Sequence, residues 1–325
     1  MIRYICRRLL YIPFMLFAVG FFVYFFLSFS NVDPVLQLLP SEYTMEEYDA
    51  VAAEFGYDQP VVIQYFNWFA KAIQGDFGIS LRTRGPVWGE IRERIPVSLR
   101  FSAITTFLVV LVGLPLGVLC AVKQYTIADI AINFGARIFA SVPAFLLGIV
   151  FMLFFAVQLG WLPTFGFSTP RHWVLPLMTQ VIPISANFIR NTRSSMLDCI
   201  RQDYVRTARS KGAKESQVIF KDTLRNALLP IITLIGGMFG FLISGSIVVE
   251  NVFAIPGIGS KVIESINSKD MPVVMICTML LSSIFMLMNL LIDLCYTLID
   301  PRIKSTLIKS KKKIAKIETN EGGAA

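Results

Sequence analysis

The chain has 325 residues and a formal net charge of +8, and 55% of its residues are hydrophobic while only 16% are charged. A soluble globular domain carries about 25% charged residues, so this composition excludes an ordinary soluble protein. The basic residues flank long apolar runs, which favours membrane orientation over nucleic-acid binding as the reason for the positive charge. The five cysteines include no Cys-x-x-Cys pair, so neither a disulfide framework nor a metal site is expected.

Six charge-free runs divide the chain, and each is close to the roughly 20 apolar residues that a helix needs to cross a bilayer. Backbone groups in lipid must be hydrogen-bonded within their own segment, so these runs predict helices. The first run is longer than the roughly 7–15 apolar residues of a signal peptide, which favours a retained first helix. The fourth run is the shortest and contains two prolines. The predicted spans are 9–32, 101–122, 138–159, 173–189, 226–249 and 271–292.

The distribution of lysine and arginine predicts the orientation of these spans, because such residues concentrate in cytoplasmic loops. With both termini inside, 21 of the 30 basic residues fall in cytoplasmic segments. This arrangement predicts a cytoplasmic N-terminus at 1–8 and a large extracytoplasmic segment at 33–100. A core of helices follows at 101–307, with a cytoplasmic loop at 190–225. The basic tail at 308–325 is predicted to lie inside, next to anionic lipid.

Residues 59–72 of the large extracytoplasmic segment have apolar side chains at helical spacing. Val62, Tyr65, Phe66 and Phe69 share one face of the predicted helix. The pattern predicts an amphipathic helix that either packs on the bundle or lies at the lipid surface. Whether this helix has any binding role stays open at the level of the sequence.

Residues that could carry catalysis are scarce. The single histidine, His172, excludes paired-histidine metal sites, and its place beside Trp173 favours an interface anchor over a catalyst. No Gly-Lys dipeptide is present, so the chain has no P-loop. Asp293 is the clearest ionisable residue in an apolar stretch, and a functional role and a structural partner such as Asn289 are equally open. The lack of further intramembrane carboxylates argues against a proton-coupled transporter.

Two glycine pairs have the spacing of small-xxx-small motifs. Gly113 is followed by Gly117, and Gly236 is followed by Gly240. Such spacing allows two helices to approach closely, and packing within one bundle is a commoner cause of it than dimerisation.

The most informative segment, residues 201–230, is polar, basic and too long for a tight connection. Tyr204, Val205 and Ala208 can share one face of a short helix, and Gly212 follows where that helix should end. Further apolar residues predict a second helix that leads into the membrane. A loop with two apolar faces predicts docking on a partner, whereas a solvated linker would not need them.

This loop resembles the cytoplasmic signature of the permeases of ABC importers, in the oligopeptide/dipeptide/nickel branch. The resemblance rests on Asp-Tyr-Val-Arg-Thr-Ala-Arg-Ser-Lys-Gly at 203–212 and on Arg-Asn-Ala-Leu-Leu-Pro at 225–230. The general family pattern is Glu-Ala-Ala, three residues, then Gly, and the Arg-Thr-Ala triplet at 206–208 departs from it as the peptide branch does. Other matching motifs cover nearly the whole chain and are similar to the first, B-type permease of such systems. They are Arg7-Arg8-Leu-Leu, Gly75-Asp-Phe-Gly78, Gly113-Leu-Pro-Leu-Gly117, Leu159-Gly-Trp-Leu-Pro163, Val249-Glu-Asn-Val-Phe253, Pro256-Gly-Ile-Gly259 and Asp300-Pro-Arg302.

The resemblance implies an all-α integral membrane protein with a six-helix transmembrane bundle, the type I ABC-importer permease fold. It also implies three kinds of partner: a second homologous permease, two cytoplasmic ATPase subunits that bind ATP and magnesium, and an extracytoplasmic solute-binding protein that delivers di- or oligopeptides. The chain itself would hold no cofactor and would not be an enzyme.

The resemblance further implies that the loop is a coupling helix seated in a groove of an ATPase. Tyr204 and Ala208 would pack in the groove, while Asn226 and Pro230 would fix where the chain re-enters the membrane. The full set of implied coupling residues is Asp203, Tyr204, Val205, Arg206, Ala208, Arg209, Lys211, Gly212, Asn226 and Pro230.

Two alternatives stay open. The same machinery could import nickel or another small solute, because permease sequences in this branch do not separate cargoes well. A membrane channel or scaffold without an ATPase is the alternative from a different class, and the predicted docking loop argues against it.

Overall fold

The structure is a computed structural model that describes residues 2–29 and 33–299. The predicted tail at 308–325 and the side chain of Asp293 lie outside the described residues. Within them the regular structure is helical, apart from one isolated bridge between Ile79 and Pro86. The helices are α1 (Ile2–Ser28), α2 (Pro34–Leu38), α3 (Met45–Phe55), α4 (Val61–Ile73), α5 (Val87–Ile91), α6 (Ile95–Val122), α7 (Ile127–Ser141), α8 (Ala144–Phe151), α9 (Pro170–Ile200), α10 (Asp203–Ser210), α11 (Glu215–Gln217), α12 (Leu224–Gly245), α13 (Ile247–Val252), α14 (Ile258–Asn267) and α15 (Met271–Ile299), with π-helical segments at Met152–Gln158 and Val218–Thr223.

Four helical stretches in the described part of the chain are long and apolar enough to cross a membrane. They are Leu9–Ser28, Val87–Val122, Glu215–Gly245 and Met271–Ile292. These stretches overlap the first, second, fifth and sixth predicted spans. Together with α9 and the bent pair described next, they form the predicted all-α bundle.

The third predicted span, 138–159, is not one helix, so this prediction was wrong. α7 ends at Ser141 and α8 begins at Ala144, and the two helices are bent by 97° at the break. Pro143 explains the break, because it has no N–H to donate and disfavours helical backbone at the residue before it. That residue, Val142, is extended with a ψ of 125°. An apolar run of spanning length does not by itself reveal such a corner.

α9 lies at the centre of the bundle, where it packs against α6, α7, α8 and α12. It has 31 residues and extends past both ends of the predicted fourth span at 173–189. Its composition is not apolar enough to mark it as a membrane span, unlike the four stretches above. Neighbouring helices replace lipid on its packed side, where polar residues such as Thr179, Gln180 and Ser185 are buried.

Close contact between α6 and α9 depends on the first glycine pair. A Cβ added at Gly113 would lie 2.7 Å from Cδ1 of Phe188, and one added at Gly117 would lie 2.6 Å from Cβ of Thr192. The second pair, in α12, faces α15 in the same way, and a Cβ at Gly236 would overlap the side chain of Ile292. Both motifs therefore serve packing within the bundle.

The segment between α1 and α6 folds as short helices, and α4 is the amphipathic helix that the sequence predicts. Tyr65 is fully buried, and its hydroxyl donates to the carbonyl of Phe17 in α1 at 2.6 Å. Phe66 and Phe69 also contact the Phe17 ring, although Phe66, like Val62, stays about half exposed. Of the two placements left open by the sequence, the helix packs on the bundle.

Replacement of Gly117 by alanine should destabilise the bundle. The new methyl group would overlap Thr192 and approach the carbonyl oxygen of Ile189, and overpacking of this kind costs about 1–3 kcal/mol. Gly237→Ala is the matched control, because a Cβ there meets nothing within 4 Å and alanine favours a helix by up to about 1 kcal/mol. Thermal unfolding in detergent should give a lower Tm for Gly117→Ala and an equal or higher Tm for Gly237→Ala. Equal Tm values for the two variants would contradict the packing analysis.

Candidate coupling loop

The loop between α9 and α12 carries most of the predicted coupling residues, and α10 is its central element. Val205 is fully buried, while its neighbours Tyr204 and Arg206 are exposed. Ala208 is half-buried, and α10 packs against the π-helical segment Val218–Thr223. One face of α10 is therefore anchored to the chain, and the opposite face is free. The predicted common face is split: Val205 is buried, whereas Tyr204 is 40% exposed and only its hydroxyl reaches the bundle, at Cys199 and Asn226.

The turn after α10 depends on Gly212, which has a φ of +76°. A side chain there would meet nothing within 4 Å, so backbone conformation is what favours glycine at this position. Arg209 closes the turn by donating from Nε and Nη2 to the carboxylate of Glu215, at 3.2 and 2.6 Å. This contact holds the pKa of Arg209 above its usual value. Asp203 is the first residue of the helix and Lys211 is the capping residue after its last, and both are exposed.

Asn226 and Pro230 lie at the start of α12, where the loop becomes a membrane helix. The Asn226 amide donates to the carbonyl of Asp222 at 2.8 Å, and its side chain also interacts with the Tyr204 hydroxyl. Partial burial raises the pKa of Tyr204. Pro230 is exposed inside α12 and cannot donate a helical hydrogen bond to the carbonyl of Asn226. The two predicted re-entry residues thus lie in the first two turns of this helix.

The base of the loop belongs to the core of the bundle. Ile219 is buried in a cluster that includes Val118, Met196 and Leu197, from α6 and α9. Phe220 follows directly and is 63% exposed, so it presents a large apolar side chain beside α10. Phe220 was not among the predicted coupling residues, although three consecutive apolar residues in a polar loop, at 218–220, were a usable signal.

A buried ion pair that the sequence analysis missed ties α7 to α9 near the loop. Arg193 donates from Nε and Nη2 to the two carboxylate oxygens of Asp129, both at 2.8 Å. The Asp129 side chain is only 5% exposed and also accepts from Asn133 and from the backbone N–H of Tyr125. All carboxylate oxygens are therefore satisfied, as a buried charge requires. No sequence motif marks the pair, because its partners are 64 residues apart.

A second buried carboxylate, Glu250, lies in the Val249-Glu-Asn-Val-Phe253 motif at the other end of the bundle. It is fully buried and accepts from the hydroxyls of Ser98 and Ser246 at 2.8 and 2.9 Å. Its second oxygen accepts from the backbone N–H of Ser260 at 3.1 Å. A Cβ at Gly257 would overlap this oxygen, so the glycine of the following motif leaves room for the carboxylate. These contacts join α6, α13 and α14.

The described residues offer no group of three or more histidine, cysteine or acidic side chains that could hold a metal ion. His172 instead closes the start of α9, where its Nδ1 accepts from the backbone N–H of Thr169 at 3.3 Å. Cys120, Cys199 and Cys277 are free thiols.

Comparison with known protein families decides what kind of molecule carries this loop. Residues 113–305 match the family described as "Binding-protein-dependent transport system inner membrane component", and residues 1–102 match its N-terminal companion. The chain is a permease of this family. Such permeases are the membrane subunits of ABC importers, and separate subunits hydrolyse the ATP. The resemblance to the oligopeptide/dipeptide/nickel branch is confirmed.

Curated relatives and solved structures agree with this assignment. The permease is 37% identical over 304 residues to the "Glutathione transport system permease protein GsiC" of Escherichia coli K12, a match that covers 94% of this chain and 99% of the relative. The protein of the same name from Shigella dysenteriae matches equally well. Among solved structures, an amino acid ABC transporter with histidines gives a TM-score of 0.54 at 14% identity, covering 64% of this chain and 94% of that one. The inward-facing MetNI methionine transporter gives 0.51 at 20% identity, covering 65% and 96%. At these identities the two structures establish the fold alone.

Replacement of Arg193 by methionine should destabilise the permease by about 3–5 kcal/mol, because Asp129 would be left as a buried carboxylate without its cation. The double variant Arg193→Met/Asp129→Leu should recover much of the loss. Arg209→Met is the control, since its pair with Glu215 is exposed on both sides and should contribute at most about 1 kcal/mol. Thermal unfolding of the purified variants measures all three. A loss no larger for Arg193→Met than for Arg209→Met would contradict the assignment of a buried, stabilising pair.

Proposed function

We propose that this permease is one of two related membrane subunits of a binding-protein-dependent importer of di- or oligopeptides. The observation that carries the cargo proposal is the 37% identity with a glutathione permease over nearly the full length of both chains. Glutathione is a tripeptide, so the proposal requires a small peptide rather than a metal ion as the solute. Import of nickel or another small solute is the second candidate, because the branch includes such systems.

The proposed orientation has both termini in the cytoplasm, and it is supported by the excess of basic residues in the segments that this places inside. The segment from α2 to α5 then lies outside, where a solute-binding protein would meet it. α10 and Gly212 lie on the cytoplasmic side, facing the ATPase subunits. The second permease and the number of each subunit belong to this proposal.

The proposed coupling contact is the free face of α10. Val205 and Ala208 bind the helix to its own bundle, and the hydroxyl of Tyr204 contacts Asn226. The groove of an ATPase would therefore receive the exposed part of the Tyr204 ring, with Arg206 and Lys211 at the rim. Arg209 would help less directly, because its guanidinium is already paired with Glu215. This differs from the contact implied by the sequence, in which Ala208 entered the groove.

The proposed mechanism transmits ATPase closure through this contact. A shift of a two-state equilibrium from 1:99 to 99:1 requires about 5.5 kcal/mol of differential binding. α10 follows α9 after only two residues, and Ile219 fixes the far side of the loop in the core. Movement of α10 would therefore be passed directly to the central helix of the bundle.

Gly212→Pro and Tyr204→Asp should abolish ATP-dependent solute uptake while the permease still inserts into the membrane. Proline cannot adopt the left-handed backbone of Gly212, and an aspartate at 204 would place a charge in an apolar groove. Tyr204→Phe, which keeps the aromatic ring, should retain most of the uptake. Uptake into vesicles and the amount of membrane-inserted permease are the two measurements. Normal uptake by either disruptive variant would refute the coupling assignment.

Purification of the tagged permease from its native membrane in a mild detergent, with mass spectrometry, tests the proposed assembly. Recovery of a homologous permease together with P-loop ATPases is the expected result. Recovery of this chain alone, in a detergent that keeps such complexes intact, would instead favour an ATPase-independent channel or scaffold. A comparison of labelled-dipeptide uptake with labelled-nickel uptake by the recovered complex then decides the cargo.

A further inference from the structure

The central helix α9 carries a row of exposed polar residues that no described part of the chain covers. Asn187, Arg190, Asn191 and Ser194 are all exposed. Their spacing of three, four and seven residues places them along one face of the helix. The other side of α9 is the buried side that packs on α6, with Phe188 and Thr192. We call these four residues the polar stripe.

The polar stripe lies at membrane depth, as the contacts between α9 and α6 show. Phe188 lies level with Gly113 and Thr192 lies level with Gly117. Both glycines belong to the charge-free run 101–122, in a helix long and apolar enough to span the bilayer. Gly117 is five residues before the end of α6 at Val122, which corresponds to roughly 8 Å along the helix. Arg190 lies between Phe188 and Thr192 and is therefore level with the inside of the apolar run of α6, not with its end. Its charge alone had predicted the cytoplasmic boundary at this position.

The charge of Arg190 has no carboxylate partner among the described residues. Its guanidinium donates to the amide oxygen of Asn187 at 2.9 Å. Arg193, one turn further, shows the contrast, because it is paired with Asp129 and mostly buried. An arginine without a counter-ion is costly to place against lipid at this depth. Water or an anion is the environment that removes this cost.

We propose that the polar stripe lines a water-filled part of the transport pathway and that Arg190 binds the carboxylate of the passing solute. A guanidinium pairs with carboxylates in a two-pronged geometry, and the neighbouring Asn187 and Asn191 amides can donate to or accept from a peptide backbone. Every unmodified linear peptide ends in a carboxylate, whereas a bare metal cation would be repelled. The carboxylate assignment rests on the proposed function, while the hydration of the stripe does not.

Cysteine labelling tests hydration without reference to cargo. Ser194→Cys and Asn187→Cys are made in a variant whose five native cysteines are replaced, and the assembled transporter is treated with the membrane-impermeant anion methanethiosulfonate ethylsulfonate. Leu111→Cys is the control, because Leu111 is 56% exposed on α6 at a similar depth but lies in an apolar run. Labelling at least tenfold faster at the stripe is expected. Labelling rates at the stripe equal to the rate at Leu111→Cys would overturn the pathway assignment. This is the result expected if a sister permease covered this face.

The charge of the labelling reagent tests the anion preference of Arg190. At Ser194→Cys, the ratio of the anionic to the matched cationic methanethiosulfonate rate should fall about tenfold when Arg190→Gln is added. A positive charge one helical turn away attracts the anionic reagent and repels the cationic one. Arg201→Gln, at the end of the same helix, should leave the ratio unchanged. An unchanged ratio with Arg190→Gln would overturn the proposed electrostatic role.

Uptake of labelled alanyl-alanine tests the solute contact itself. Arg190→Gln should lower uptake at least tenfold, and Arg190→Lys, which keeps the charge, should recover a substantial part. Uptake by Arg190→Gln at the wild-type rate would overturn carboxylate binding. If the wild-type complex imports no peptide, the proposed cargo fails, and the two labelling experiments still decide whether the polar stripe is hydrated and attracts anions.

Discussion

The close contact of α6 with α9 is the constraint on which the rest of the bundle depends. Gly113 and Gly117 let Phe188 and Thr192 approach the backbone of α6, so this side of α9 lies against helices rather than lipid. Without a hydrophobic driving force between helices in lipid, such packing is a main source of helix association. The contact also fixes the depth of every residue on α9 relative to the apolar run of α6.

A central position allows α9 to be the least apolar of the long helices, and its polar residues have different environments. Arg193 turns towards α7 and is neutralised by Asp129 in a buried pair. Arg190 is on the uncovered face and has only the amide of Asn187. The same residue type, one turn apart, thus stabilises the bundle in one case and faces the uncovered side in the other. The difference lies in which neighbour each face of α9 meets.

The coupling loop is a continuation of this central helix rather than a separate module. α10 begins two residues after α9 ends, and Val205 and Ile219 hold the loop against the bundle. A partner that moves α10 would therefore also move the end of α9. In the proposed importer, the face that meets the ATPases and the face that meets the solute would therefore belong to one continuous element.

The sequence alone determined the membrane class, four of the six predicted spans in outline, the permease family and the short helix α10. Apolar length, charge placement and motif spacing are local properties of the chain, so they can be read without the fold. It failed at the third span, where Pro143 bends an apolar run, and it did not find the Asp129–Arg193 pair. It also took Arg190 as the end of the fourth span, whereas α9 continues without a break to Ile200. Tertiary structure decided these points, because depth, pairing and exposure are set by contacts between helices that are distant in sequence.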